Sequence, residues 1–259
     1  MTVGRRFLTA MPALGAARMA AAVLRAAHRS DLPSFPNSDA SGVFGDPSLP
    51  PLRIVAVVDS SLTGPGLRHL DSIFIRRIAR SYADRHHVEL ISLGVGGSKA
   101  HDVVEGQLEE AVALHADVAV VSVGSNDAVR AISPGRYERR VDGILGRLEE
   151  TAGAVVVIGM GDLGMIPRLP ATLRPYLRHR SRRFDAAAAR ASLRHPRTVK
   201  VHTGGRITDA FDGRDPSVFA ADLFHAGDEG HRVFAEEAAP AFDRAYRIAM
   251  RRREAGASG

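Results

Sequence analysis

The chain has 259 residues, of which 45% are hydrophobic and 25% charged, a balance that excludes wholesale disorder and a collagen-like chain. It contains no cysteine, which excludes disulfides, thiol nucleophiles, thiolate zinc sites and iron–sulfur ligation. The formal net charge is +6, and that excess attracts acidic partners only where it is concentrated on one face.

Residues 1–28 carry Arg5 and Arg6 followed by a mildly apolar stretch from Phe7 to Leu24, interrupted by Pro12 and Arg18. No apolar run of about 18 residues occurs, so a membrane-spanning helix is not expected. Arg5-Arg6 matches a twin-arginine signal only loosely, and no small-residue cleavage site follows the apolar stretch. The alternative is an amphipathic helix, with Phe7, Leu8, Met11, Leu14, Ala17 and Ala21 on one side, lying on a membrane or on the domain. Residues 30–51, rich in Ser, Pro, Asp and Gly, read as a linker. Cytoplasmic placement is expected, with secretion or membrane association as alternatives.

After that linker, nearly continuous hydrophobic runs alternate with helical patterns. The runs are Arg53–Val58, Val88–Leu93, Asp117–Val123, Ala154–Met160 and Thr198–His202. Such runs suit strands covered on both faces. Helices are predicted over 67–86, 101–115, 134–152, 170–194 and 228–252, with Pro134 and Pro170 at helix starts. The alternation predicts an α/β fold, a three-layer α/β/α sandwich around a five-stranded parallel sheet with right-handed crossovers. The domain is expected to span 52–253, with a disordered tail at 254–259. Residues 168–197 hold nine arginines and one aspartate, which reads as a solvated helix face. Aromatics make up 5% of the chain and tryptophan is absent, so base stacking is poorly served and no nucleic-acid partner is expected.

Ligands in such folds sit beyond the carboxyl ends of the strands. The first run is followed by Asp59-Ser60-Ser61-Leu62-Thr63-Gly64, the second by Gly94-Val95-Gly96-Gly97 and the third by Gly124-Ser125-Asn126-Asp127. Beyond the fifth come Asp222-Leu223-Phe224-His225. A serine hydroxyl is a weak nucleophile that needs an adjacent base. Histidine, with an ordinary pKa of about 6.5, takes and returns a proton near neutrality. Asp222, three residues before His225, can hold the useful tautomer across a tight turn.

These four segments resemble the sequence blocks of the SGNH (GDSL-type) hydrolases, a superfamily of esterases, lipases and acylhydrolases on a flavodoxin-like sheet. The resemblance covers about residues 52–245. It implies that Ser60 is the nucleophile, that Asp222 and His225 complete the triad, and that the Ser60 and Gly97 amides with the Asn126 side chain form the oxyanion hole. A register one residue later puts Ser61 at the serine position, but it loses the aspartate and sets Pro65 where the block's closing glycine belongs, so Ser60 is preferred. Val58 stands where the family has glycine, and Ser92 where it has an asparagine that helps hold neighbouring loops. The implied activity is hydrolysis of a carboxylic ester without metal or organic cofactor. Acyl transfer at the same site is the alternative, and the Val58 change motivates a second, a non-catalytic lipid- or carbohydrate-binding relative. The expected partner is a small-molecule ester, with lipids and acylated sugars as candidates, and peripheral membrane contact would run through residues 1–28. Met165, Ile166, Leu169 and Phe219 are the candidates for an apolar acyl site.

Overall fold

The computed structural model describes residues 15, 18–26, 30–130, 132–212 and 215–257. Most of the amphipathic stripe drawn through Phe7, Leu8, Met11, Leu14 and Ala17 lies outside the described residues. Within it, 18–26 are helical (α1), and Val23 and Ala26 are buried in the domain's core. No helix among the described residues is long and apolar enough to cross a membrane.

Six strands form one sheet: β1 (Gly42–Phe44), β2 (Pro51–Val58), β3 (His87–Ser92), β4 (Val118–Ser122), β5 (Ala154–Val157) and β6 (Thr198–Lys200). Their order is β1-β3-β2-β4-β5-β6. All neighbours pair in parallel except β1, which runs antiparallel to β3 from Gly42 opposite Leu90 to Phe44 opposite Val88. The five predicted parallel strands are therefore present, and a sixth caps the edge beside β3. That sixth strand corrects two expectations, the strand count and the reading of 30–51 as a linker. β1 has three residues, too few to display a period of two among turn-forming neighbours.

Alternation along the strands separates the two cores. Val55 and Val57 of β2, Ala119 and Val121 of β4, and Val155 and Val157 of β5 face one cluster. It is covered by α1, α3 (Ala100–Gly106), α4 (Leu108–Ala113), α6 (Pro134–Thr151) and α7 (Arg174–Ser192). Leu52, Ile54, Ala56 and Val58, with Val118, Val120, Ala154 and Val156, face the other cluster. There α2 (Phe74–Arg80) and α9 (Asp228–Ala257) close the third layer. The predicted helix at 67–86 shrinks to a 3-10 turn at Leu70–Ser72 and α2, and that at 101–115 breaks at Gln107 into α3 and α4. α9 runs on to Ala257, so most of the tail expected to be disordered continues the last helix.

Most of the arginines in 168–197 are exposed, as expected of a solvated face, and several also tie neighbouring elements together. Arg190 and Arg194 bond Glu138, and Arg194 also bonds Asp142, joining α7 to α6. Arg180 donates to the carbonyls of Ala128 at 2.7 Å and Ile132 at 2.6 Å, and Arg197 bonds the Glu149 and Ala152 carbonyls. Such ties hold the helices that carry the loops at the carboxyl edge of the sheet.

α9 rests on the sheet through Phe242, Ala245 and Ala249, each almost fully buried. Phe242→Ala is expected to lower stability by about 3–5 kcal/mol, read by urea unfolding. A loss below about 1 kcal/mol would mean that α9 does not close this core.

Candidate active site

The turn after β2 is set by Asp59. Its carboxylate, buried in the protein, caps the 3-10 turn Ser60–Leu62 by accepting the Ser61 N–H at 2.9 Å. Burial raises the Asp59 pKa above the ordinary carboxylate value, against the opposing effect of its hydrogen bonds to Ser61. The two adjacent serines then point apart. The Ser61 hydroxyl meets the Ser122 hydroxyl at 2.7 Å, and the Ser60 Oγ lies 3.2 Å from His225 Nε2.

His225 is presented by a tight turn. Leu223 adopts a left-handed φ of 56°, a conformation that costs a side-chain-bearing residue about 1–3 kcal/mol and persists where the surroundings enforce it. Here Asp222 Oδ1 accepts the N–H groups of Phe224 at 2.9 Å and His225 at 3.0 Å, and Oδ2 meets His225 Nδ1 at 2.7 Å. A carboxylate only accepts, so the Nδ1 atom carries the proton and Nε2 turns its lone pair to Ser60. Burial pushes the Asp222 pKa up, but the hydrogen bonds from His225 and Phe224 outweigh it and hold it below the ordinary value. The aspartate is thus ionised and 3% exposed. The arrangement can draw a proton from the Ser60 hydroxyl to His225 while Asp222 steadies the imidazolium.

Asn126 sits in α5 (Ser125–Val129) and lines the same cleft as Ser60 and His225, its Nδ2 lying 3.5 Å from Asp59 Oδ2. Gly97 belongs to the loop between β3 and α3. It has a φ of 82°, which favours glycine, and its carbonyl accepts from Arg130 at 3.1 Å. Gly97 is not among the residues that line the cleft. Ser60, Asp222 and His225 are therefore in direct contact, Asn126 stands beside them, and Gly97 lies one loop away.

The two departures from the sequence blocks have local compensations. Val58 is fully buried, and a Cβ on Gly94 would come within 2.5 Å of its Cγ2. The bare backbone at 94 makes the room that the valine takes. Gln107, buried at the break between α3 and α4, accepts the Val58 N–H at 2.9 Å and donates to its carbonyl at 3.2 Å. It completes the end of β2 where β3 has run out. Ser92 is held through its backbone, which donates to the Ser41 hydroxyl at 3.0 Å.

The cleft encloses about 200 Å³. Met165, Ile166 and Phe219 line it as expected, together with Met160, Leu163, Ile207, Phe211, Phe224 and Phe234. Leu169 does not: it is buried in the helical core instead. His231 is buried at the cleft, where its Nδ1 accepts the Phe74 N–H at 3.3 Å. Desolvation lowers its pKa to about 4, so it is neutral at physiological pH. Arg168 is also buried. It donates to the Asp222 and Pro33 carbonyls, both at 3.2 Å, while its N–H meets the Leu223 carbonyl at 3.0 Å. It thereby braces the His225 turn. Neither Gln107 nor Arg168 sits in a motif, and their partners are distant in sequence. Among the described residues, no group of three or more His, Asp or Glu is placed to hold a metal ion.

Gln107→Leu would leave the Val58 N–H buried without its partner. It is expected to cost about 1–3 kcal/mol in stability, measured by chemical denaturation. Unchanged stability would show that water or a shifted backbone replaces the glutamine.

Comparisons relate the chain to known proteins. Residues 59–233 match the GDSL-like lipase/acylhydrolase family. Over 183 residues the chain is 29% identical to the GDSL-like esterase Rv1075c of Mycobacterium tuberculosis, covering 69% of this chain and 57% of that protein. The chain thus spans little more than half the length of that curated relative. The structure of LAE5, an alpha/beta hydrolase enzyme from the metagenome of Lake Arreo, Spain, is similar with a TM-score of 0.59 at 19% identity, over 78% of this chain and 97% of that one. A catalytic mutant of Axe2, an acetylxylan esterase from Geobacillus stearothermophilus, gives a TM-score of 0.61 at 13% identity, over 78% and 95%. At such identities the two structures speak for the fold. With the family match running over most of its length, the chain belongs to the GDSL-like lipase/acylhydrolase family.

Proposed function

We propose that the protein hydrolyses carboxylic esters with an apolar acyl group, through Ser60, His225 and Asp222. The observation that carries this reading is the continuous hydrogen-bonded line from Asp222 Oδ2 through His225 to Ser60 Oγ, at 2.7 and 3.2 Å. His225 Nε2 takes the Ser60 proton as Oγ attacks the acyl carbon. The negative charge that develops on the carbonyl oxygen is met by the Asn126 side chain and by the Ser60 and Gly97 amides. As the tetrahedral intermediate collapses, the bond to the alcohol oxygen breaks and His225 returns the proton to it. Water then gives a proton to His225, attacks the acyl-enzyme and releases the acid, and Ser60 recovers its hydrogen. The methionine- and phenylalanine-rich cleft supports an aliphatic acyl group, since burying each methylene gains about 0.8 kcal/mol.

A fluorophosphonate is expected to label Ser60, with labelling lost in Ser60→Ala and largely kept in Ser61→Ala. An adduct mapped by mass spectrometry to Ser61 would reverse the assignment of the two serines. Asn126→Ala should lower kcat by roughly 10²–10³ with little change in KM; a loss confined to KM would remove Asn126 from the oxyanion hole.

Acid should switch the reaction off in one step. Only the neutral His225 imidazole accepts the Ser60 proton, so kcat/KM is expected to rise with pH on the acid side. The Asp222 carboxyl, held below its ordinary range, stays ionised there and adds no second limb. A plot of log kcat/KM against pH should therefore climb with unit slope and then level. A flat profile on the acid side, or a slope of two, would contradict this pairing.

A further inference from the structure

We infer that Asn37, in the segment that precedes the parallel sheet, is a positioning residue for the ester chemistry, setting the Ser60 turn against the Gly94–Gly97 loop. The inference rests on the reading of Ser60 and Gly97 given above. On one side Asn37 Oδ1 accepts the Thr63 hydroxyl at 2.6 Å. Thr63 closes the turn that Ser60 opens: its N–H reaches the Ser60 carbonyl at 3.3 Å, and its hydroxyl lies 3.2 Å from the same oxygen. Thr63 is 1% exposed, while Asn37 lies at the surface above it. The next residue strengthens the tie, since the Ser38 N–H donates to the Thr63 carbonyl at 2.9 Å.

On its other side the Asn37 amide is wedged against Gly96. A Cβ on that glycine would lie 2.2 Å from Nδ2 and 2.4 Å from Oδ1. The residue after it is Gly97, whose amide is one of the proposed oxyanion donors. One side chain thus touches the two loops whose separation decides whether Ser60 Oγ and the Gly97 N–H face the same acyl group. Misplacement of reacting groups by about 1 Å can cost on the order of 10² in rate. Asn37 is itself held in place, because Phe35 packs over Gly66 and the Pro33 carbonyl is bonded by Arg168.

The wedge makes a double test. In otherwise wild-type protein, Gly96→Ala drives a methyl group into Asn37 and displaces it. In the Asn37→Ala background the same methyl enters vacated space. Kinetics with a chromogenic ester, normalised to active sites titrated by the initial burst, should show kcat reduced on the order of 10- to 100-fold in Asn37→Ala. KM should stay within about twofold at temperatures well below unfolding, because substrate binding does not use Asn37. Gly96→Ala should behave alike, and the double variant should be no slower than Asn37→Ala alone. Thr63→Val reads the same bond from its other end should Asn37→Ala not fold, and Thr63→Ser should restore the rate. Wild-type kcat per titrated site in Asn37→Ala and Thr63→Val, even with a lowered Tm, would overturn the inference, as would losses that multiply in the double variant. A wild-type protein that shows neither burst nor turnover with any ester would instead overturn the proposed function, and this inference with it.

Discussion

A buried aspartate that must satisfy its oxygens inside the protein organises the site. Asp222 is almost closed to solvent, and its carboxylate accepts two backbone N–H groups and the His225 ring in a span of four residues. Within this turn Leu223 is left-handed. The turn in turn needs support from outside, which Arg168 supplies by bonding the Asp222 carbonyl with its guanidinium and the Leu223 carbonyl with its backbone. The imidazole that results has one tautomer and one direction, toward Ser60.

The opposing half of the site is built by a different rule. β2 outruns β3 at its carboxyl end; the Val58 carbonyl still accepts the Val95 N–H at 3.3 Å, but the Val58 N–H would be left unpaired in the core. Gln107 fills that gap with both ends of its amide. Asp59 then caps the turn that carries Ser60. The segment before the sheet closes the assembly: β1 seals the sheet edge, Ser41 takes the Ser92 N–H, and Asn37 reaches the Ser60 turn. What reads in sequence as a linker is in the fold a strap across both halves.

The sheet and the four loop segments were legible because they rest on local signals. β-branched runs flanked by turn residues suit strands covered on both faces, and Asp59-Ser60 and Asn126 each closely follow a strand end, while Asp222 and His225 stand three residues apart. The remainder depends on contacts between residues far apart in the chain. Gln107 meets Val58 at a separation of 49 residues, and Arg168 meets Asp222 at 54. A polar side chain in a helix or loop gives no sign that it will be buried against a distant carbonyl. The arginines of 168–197 are largely exposed, as their pattern suggests, but the pattern does not show that Arg180, Arg190 and Arg194 bind carbonyls and carboxylates of neighbouring elements. Leu169, a candidate for the acyl site, packs in the core instead, and His231 lines the cleft; neither placement follows from the local sequence.

In the proposed reaction Ser60 Oγ attacks the acyl carbon, and Asn126 and the Gly97 amide receive the developing negative charge. A crystal structure of the protein inactivated by a monoalkyl phosphonate measures this directly. The account predicts a covalent bond from phosphorus to Ser60 Oγ, with the phosphonyl oxygen at about 2.7–3.1 Å from both Asn126 Nδ2 and the Gly97 nitrogen and the alkyl chain among Met160, Ile166 and Phe224. Phosphorus on another residue, or a phosphonyl oxygen turned to solvent away from both donors, would contradict it.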